Sequence, residues 1–278
     1  MKLAYTIPNI DTIDLSEAER YIRLLKEIGY EGAETSVCYA KKVDKEGLKS
    51  ILDKYDFKLS GFRSGGIYDG AGVRFSSPDP EVRATAVAML KDVIDLAGYF
   101  HCDVLLGRIQ GLVLPGEDLD TAKGYIVDCM RECSEYAGQY GIYIDYEPIT
   151  RYEMNYNNTT REMIEFTNHI NSTINHKVKL LMDVFHSTME DESVAGAFIR
   201  AGEMMGHLHF SDTNRCSNRG VPGTGTMNFK EFIDVLDALG YKGWIALEVG
   251  LDFPDYEWGA RTSYTYLSML IEMVKKAK

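Results

Sequence analysis

The chain has 278 residues, with 30 lysines and arginines against 42 aspartates and glutamates, for a formal net charge of −12. That balance argues against a nucleic-acid binder, whose affinity comes largely from phosphate neutralisation. A hydrophobic fraction of 45% is too high for a disordered chain. No apolar run approaches the roughly 18 residues of a membrane span, so no membrane partner is expected.

The N-terminus, Met1-Lys2-Leu3-Ala4-Tyr5, enters a strand-like run directly and does not read as a signal peptide. The five cysteines (Cys38, Cys102, Cys129, Cys133 and Cys216) are scattered and form no C-x-x-C pair. They read as reduced thiols of a cytoplasmic protein, with no structural zinc or redox motif.

Along the chain, short apolar runs alternate with helical patterns. Leu3–Ile7 precedes a helix over Ser16–Ile28, where Ser16 and Glu19 have capping-box spacing. Gly32–Glu34 precedes a weaker helix over Asp44–Tyr55, and Lys58–Arg63 precedes Pro80–Ala97. Asp103–Arg108 leads to Thr121–Gln139, Ile142–Glu147 to Asn158–Ile170, and Val178–Val184 to Thr188–Ala201. His207–Phe210 and Trp244–Val249 are followed by Asn228–Leu239 and Tyr264–Lys276. Near-continuous apolar runs suit parallel strands buried on both faces. Eight alternations in an undivided chain predict a single (β/α)8 TIM barrel over residues 1–278. An open doubly wound sheet would place a glycine-rich fingerprint after the first strand, and Tyr5–Ile10 contains no glycine.

Barrel chemistry sits at the C-terminal strand ends. Those ends carry Glu34, Arg63, Arg108, Glu147, Asp183 with His186 beyond it, His209, and Glu248. Glu147, Asp183, His209 and Glu248 come from four successive runs and should converge on one side of the barrel. Three clustered carboxylates repel one another, and a divalent cation removes that conflict. The donor set suits Mn²⁺ first, with Mg²⁺, Co²⁺ or Zn²⁺ as alternatives. His207 shares a strand face with His209 one layer deeper, where it reads as a hydrogen-bonded interior residue. Asp145 faces the same interior, either supporting the site or simply lining it. Tyr5, Tyr68, Tyr152 and Tyr156 are candidate pocket walls.

Four segments carry a resemblance: Asp183-Val184-Phe185-His186; His209 through Arg215 with Pro222-Gly223-Thr224-Gly225 after it; Glu147-Pro148 with Arg151 and Glu153; and Ala246-Leu247-Glu248. Together they resemble the xylose-isomerase-like sugar isomerase/epimerase superfamily, and within it the metal-dependent ketose 3-epimerases of the tagatose and psicose type. The motifs cover roughly residues 140–250.

The resemblance implies that Glu147, Asp183, His209 and Glu248 hold one divalent metal. It implies that Glu147 and Glu248 are the acid/base pair, and that His186, Arg215 and Glu153 bind a small-molecule sugar or keto-sugar. Relatives form homodimers or homotetramers. Moving a proton beside a ketone needs one base on each face and stabilisation of an enediolate, and this residue set offers both.

Arg63 and Arg108 depart from the family pattern. They suggest an anionic group on the substrate, bound by paired guanidinium donors, unless each pairs with an acid such as Glu34 or Asp103. Arginines at those ends, where related DNA-repair endonucleases place extra histidines, speak against DNA cleavage. The competing enzymatic reading is a metal-dependent dehydratase of a keto-polyol such as inosose or dehydroshikimate, because dehydration begins with the same proton removal. A non-catalytic sugar- or metal-binding barrel is the third reading.

Overall fold

Eight parallel strands pair in chain order and close into a barrel, β1 against β8. They are β1 (Lys2–Thr6), β2 (Gly32–Ser36), β3 (Lys58–Arg63), β4 (Asp103–Leu106), β5 (Ile144–Tyr146), β6 (Lys179–Asp183), β7 (Met205–Phe210) and β8 (Trp244–Leu247). The computed structural model describes residues 1–191, 193–213, 218–249 and 255–276. Among these residues, no helix is long and apolar enough to cross a membrane.

The barrel is the expected one, because each strand is too apolar to face water on either side. Val104, Ile144, Leu180, Leu208 and Ile245 are all fully buried. Ten α-helices are described, and most stand outside the barrel: α1 (Leu15–Ile28), α2 (Lys45–Lys54), α3 (Gly65–Ala71), α4 (Pro80–Phe100), α5 (Leu119–Gly138), α6 (Thr160–Asn171), α7 (Val184–Glu190), α8 (Val194–Ala201), α9 (Phe229–Ala238) and α10 (Tyr256–Lys276). Their buried stripes, such as Ala18, Ile22 and Leu25 on α1, pack against the strands' outer faces.

Local chemistry explains where the expected boundaries move. Helix α1 is capped by Asp14, whose Oδ1 accepts from the Glu17 amide at 2.9 Å, and not by a box built on Ser16 and Glu19. The reciprocal capping box occurs instead at Thr159 and Glu162. Helix α4 runs through Gly98 to Phe100 and ends on His101 in the left-handed region. The segment 188–201 divides into α7 and α8, with α7 starting directly on the end of β6. Arg108 lies beyond β4 in a 3-10 turn, Arg108–Gln110, and Gly65–Ala71, outside the expected helices, is helical.

The barrel floor holds an unusual close approach. Asp145 on β5 is fully buried, and neither carboxylate oxygen has a hydrogen-bond partner. Burial, reinforced by the charge of Asp103, pushes its carboxyl well above the usual range, so it is held as the neutral acid. It fits because β7 has Gly206 there: a Cβ at that position would stand 1.9 Å from Asp145 Oδ1. Gly206→Ala should therefore cost about 1–3 kcal/mol in urea unfolding. Adding Asp145→Ala to the same chain should recover part of that loss, a non-additive pair. A neutral Gly206→Ala would show that the two strands do not constrain each other there.

Candidate active site

The strand ends of the second half of the barrel place four ionisable side chains around one point. Asp183 is the last residue of β6 and also the cap of α7. Its Oδ1 accepts from the Phe185 amide at 2.7 Å, which turns Oδ2 toward the barrel axis. Glu147 follows β5 directly, and its amide donates to Leu106. Glu248 follows β8, with its amide on Phe210. Room for Glu147 depends on Gly107, since a Cβ there would lie 2.9 Å from Glu147 Oε2.

His209 on β7 is the centre of the group. Its Nδ1 lies 3.1 Å from Glu248 Oε2, 3.7 Å from Glu147 Oε1 and 3.8 Å from Asp183 Oδ2. Its other nitrogen, Nε2, faces Glu34 Oε1 at 3.0 Å and Oε2 at 3.1 Å. Glu34 Oε2 also meets His207 Nε2 at 2.8 Å. Glu34 thus assigns the Nε2 proton of His209 and leaves Nδ1 to face the carboxylates, a carboxylate–histidine pair of the kind that orients metal-binding imidazoles. His207 takes the hydrogen-bonded interior position expected of it.

The group fits a divalent cation. Glu147 Oε1, Asp183 Oδ2 and His209 Nδ1 are buried polar atoms without a hydrogen bond. Asp183, His209 and Glu248 each offer a donor atom, all within 4.8 Å of one another, as do Glu147, Asp183 and His186. Positive charge is already drawn there. Arg219 Nη1 stands 2.6 Å from Asp183 Oδ2 and 2.9 Å from Glu248 Oε2. Its guanidinium rests over the Phe185 ring at 4.6 Å, which gives it an apolar seat.

The environment separates the two glutamates. Burial pushes the Glu147 carboxyl up to about 7, with His209 opposing that rise and the charges of Asp183 and Glu248 adding to it. Burial would raise Glu248 too, but Arg219, His209 and Arg63 overcome it and hold Glu248 well below the usual range. Glu34, though fully buried, is brought down to about 2 by His209 and His207. His209 is raised well above its ordinary value, because Glu34 and Glu248 outweigh its burial.

His186, on the first turn of α7, is buried. Its Nδ1 accepts from the Thr150 amide at 3.3 Å, and its Nε2, at the cavity, lies 3.2 Å from Arg219 Nη2. Burial holds it neutral, down at about 4.

A cavity of about 700 Å³ opens from this cluster. Glu147, Glu153, His186, His209, Glu248, Arg63, Arg108 and Arg219 all line it. Asp183, fully buried, lies beneath it. Arg63 does not stand free. Its Nε is 3.2 Å from Glu34 Oε1 and its Nη1 is bonded to Glu248, which is the internal pairing that the sequence left open. Arg108 reaches the rim, where Asp69 pairs with it at 3.1 Å. Arg215 lies outside the described residues. Of the tyrosines considered as walls, Tyr5 is buried among Tyr30 and Tyr256. Tyr156 is buried with its hydroxyl on Gly111. Tyr152 projects 80% exposed. Tyr68 lies beneath the Arg108 guanidinium. Among the described residues, the tyrosine that lines the cavity is Tyr39.

Two residues central to the cluster were not among the sequence candidates. Arg219 sits four positions beyond the arginine chosen by motif spacing. Glu34 was visible only as a strand end, and its role depends on crossing the barrel to β7.

A family model described as a xylose isomerase-like TIM barrel matches residues 22–264. The D-psicose 3-epimerase of Ruminiclostridium cellulolyticum is 32% identical over 181 residues, covering 62% of this chain and 58% of that protein. The chain thus spans less than two thirds of that relative's length. The L-ribulose 3-epimerase of a Methylomonas species is 29% identical over 227 residues, covering 79% and 74%. The crystal structure of D-allulose 3-epimerase from Methylomonas in complex with D-allulose superposes with a TM-score of 0.82 at 21% identity, over 96% of this chain and 97% of that one, a likeness of fold.

Two outcomes follow from the site. Folded His186 stays neutral down to about 4, whereas an unfolded histidine protonates below 6.5. At this site the unfolded chain therefore binds more protons in that window, so the contribution of His186 to stability falls as pH drops, opposite in sign to that of Glu147, which takes up its proton more readily in the folded chain. In metal-free protein the stability difference between wild type and His186→Gln should therefore shift by about 3 kcal/mol against the wild type across the window. Adding a divalent cation should stabilise the chain by about 2.7 kcal/mol at a hundredfold excess over Kd. Asp183→Asn, which keeps a capping side chain on α7, should abolish the rise in Tm.

Proposed function

The chain belongs to the xylose isomerase-like TIM-barrel family, and on that premise we propose that it is a metal-dependent epimerase or isomerase of a ketose or keto-sugar. The observation that carries this reading is the convergence of Glu147, Asp183 and Glu248 on His209 Nδ1. We take the ion as Mn²⁺, with Mg²⁺, Co²⁺ or Zn²⁺ as alternatives, held by Glu147, Asp183, His209 and Glu248. When bound, it supplies positive charge beside the oxygen on which negative charge develops. The buried free thiols of Cys38, Cys102, Cys129 and Cys133 support a reducing, cytoplasmic setting.

The chain's own residues do the rest. Glu248, held ionised by Arg219, His209 and Arg63, removes the proton from the carbon beside the carbonyl. Glu147, on the opposite face, returns the proton. In the reverse direction the two exchange roles. His186 and Arg219, in contact at 3.2 Å, bind the substrate oxygens together, with the guanidinium donating, and Glu153 accepts from a hydroxyl. Arg215 is assigned to the same oxygens by its motif. Arg63 holds Glu248 in place from the cavity wall, and Arg108 serves the outer end of the cavity.

The test is deuterium wash-in from D₂O at the carbon beside the carbonyl, followed by NMR with the metal-loaded enzyme. Glu248→Gln should slow it by about 10²–10⁴-fold. The cation-induced rise in Tm, measured on the same variant, separates a lost base from a lost ion. Exchange at the wild-type rate in a variant that still binds the ion would overturn the assignment.

A further inference from the structure

The segment between β7 and α9 carries a motif, Pro222-Gly223-Thr224-Gly225, that the chemistry above does not use. The chain wraps that motif around one carboxylate. Asp212, three residues beyond His209, is 1% exposed. Its Oδ1 accepts from the Thr213 amide at 2.9 Å and from the Met227 amide at 3.1 Å. Its Oδ2 accepts from the Gly223 and Gly225 amides, both at 2.9 Å. Four main-chain N–H groups thus converge on a buried anion, in charge-assisted bonds stronger than neutral ones.

Both glycines of the motif serve this clasp. Gly223 has φ +93°, a region open to glycine, in a turn that the Thr224 amide closes on the Val221 carbonyl at 3.1 Å. A Cβ at Gly225 would stand 2.3 Å from Asp212 Oδ1 and 2.6 Å from the Thr213 carbonyl oxygen. The returning limb is tied to the outgoing one, since the Thr226 amide and Oγ1 both donate to the Thr213 carbonyl, at 2.9 and 3.0 Å.

What the clasp carries is Arg219. The Asp212 amide donates to the Gly220 carbonyl at 2.8 Å, and the Gly220 amide donates back to the Asp212 carbonyl at 2.7 Å. That bridge fixes the residue next to Arg219, and the Asp212 side chain fixes the limb beyond it. From there Arg219 Nη1 reaches Asp183 Oδ2 at 2.6 Å and Glu248 Oε2 at 2.9 Å, and Nη2 lies 3.2 Å from His186 Nε2. An arginine on a loop has many rotamers and no helix or strand to hold its main chain, so holding it against three partners requires that the loop itself be held.

We propose that Asp212 is a positioning residue, whose carboxylate closes the loop that delivers Arg219 to Asp183, Glu248 and His186. The proposal deepens the epimerase reading by naming what places its guanidinium, and only the Mn²⁺ measurement below rests on that reading.

Asp212→Asn keeps the size of the side chain and one accepting oxygen, but turns an NH₂ group toward the Gly223 and Gly225 amides, donor against donor. The first measurement is urea unfolding of the metal-free wild type, Asp212→Asn, Arg219→Gln and the double variant. Asp212→Asn should lower the midpoint less in the Arg219→Gln chain than in the wild type, because part of what it disrupts is already gone. Additive shifts would mean that the clasp serves only its own loop, and would overturn the proposal. The second measurement is Mn²⁺ affinity by titration calorimetry. Loss of the Asp212 charge alone should weaken cation binding, whereas withdrawal of the guanidinium from Asp183 Oδ2 should tighten it. Asp212→Asn should therefore tighten Mn²⁺ binding by about tenfold, Arg219→Gln at least as much, and the double variant no further than Arg219→Gln. Weakened binding in Asp212→Asn would overturn the proposal. Gly225→Ala, which opens the clasp with the carboxylate in place, should tighten Mn²⁺ binding likewise and is the second variant should Asp212→Asn fold poorly. Absence of Mn²⁺ binding in every variant would overturn the metal reading, and the urea cycle would still decide the role of Asp212.

Discussion

The structure turns on one buried carboxylate. Glu34 has no exposed surface, and taking its charge out of water would cost several kcal/mol without compensation. Three side chains compensate it: His207, His209 and Arg63. Each also does something else. His207 fills the interior, His209 turns its other nitrogen to the acidic cluster, and Arg63 carries on to Glu248. The requirement to neutralise Glu34 therefore sets the imidazole's orientation and steadies one member of the glutamate pair through a single contact set.

From that arrangement the two glutamates acquire different characters with no difference in their own chemistry. Glu248 sits between Arg63, Arg219 and His209, whereas Glu147 is buried beside other acids. Neighbours, not sequence motifs, decide which carboxyl is ionised near neutrality. The geometry is fixed before any substrate arrives, because Asp183 is tied to the start of α7, His186 to the Thr150 amide, and Glu147 is given its space by Gly107. Such preorganisation is what allows a polar site to stabilise developing charge without rearranging.

The barrel was legible in the sequence because parallel strands buried on both faces leave a plain apolar signature, and because polar residues at their ends stand out against it. Glu147, Asp183, His209 and Glu248 were found that way, and the structure brings them together. Less legible were features set by distance across the fold. Glu34 and His209 are separated by 175 positions, and no local pattern reports that they touch. Arg219 was missed because motif spacing pointed to Arg215 and only the path of the chain brings Arg219 to Asp183. Helix α3 begins with two glycines, a poor helix signal, and forms where β3 ends. The cap of α1 went to Asp14 and not Ser16 because an ionised carboxylate accepts from both the Glu17 amide and the Ser16 hydroxyl.

The barrel divides its labour by halves. Strands β5 to β8 bring the ionisable cluster, whereas the loops after β1 and β2 and helix α3 shape the space in front of it. Glu34 and Arg63 reach from the first half into the ionisable cluster of the second. In evolutionary terms, this gives the fold a replaceable face. Loops on the first half can drift, lengthen or be exchanged, re-addressing the same proton chemistry to new molecules, provided that those two residues stay in place. Glu34 and Arg63 then act as the hinge of inheritance between what the enzyme does and what it does it to.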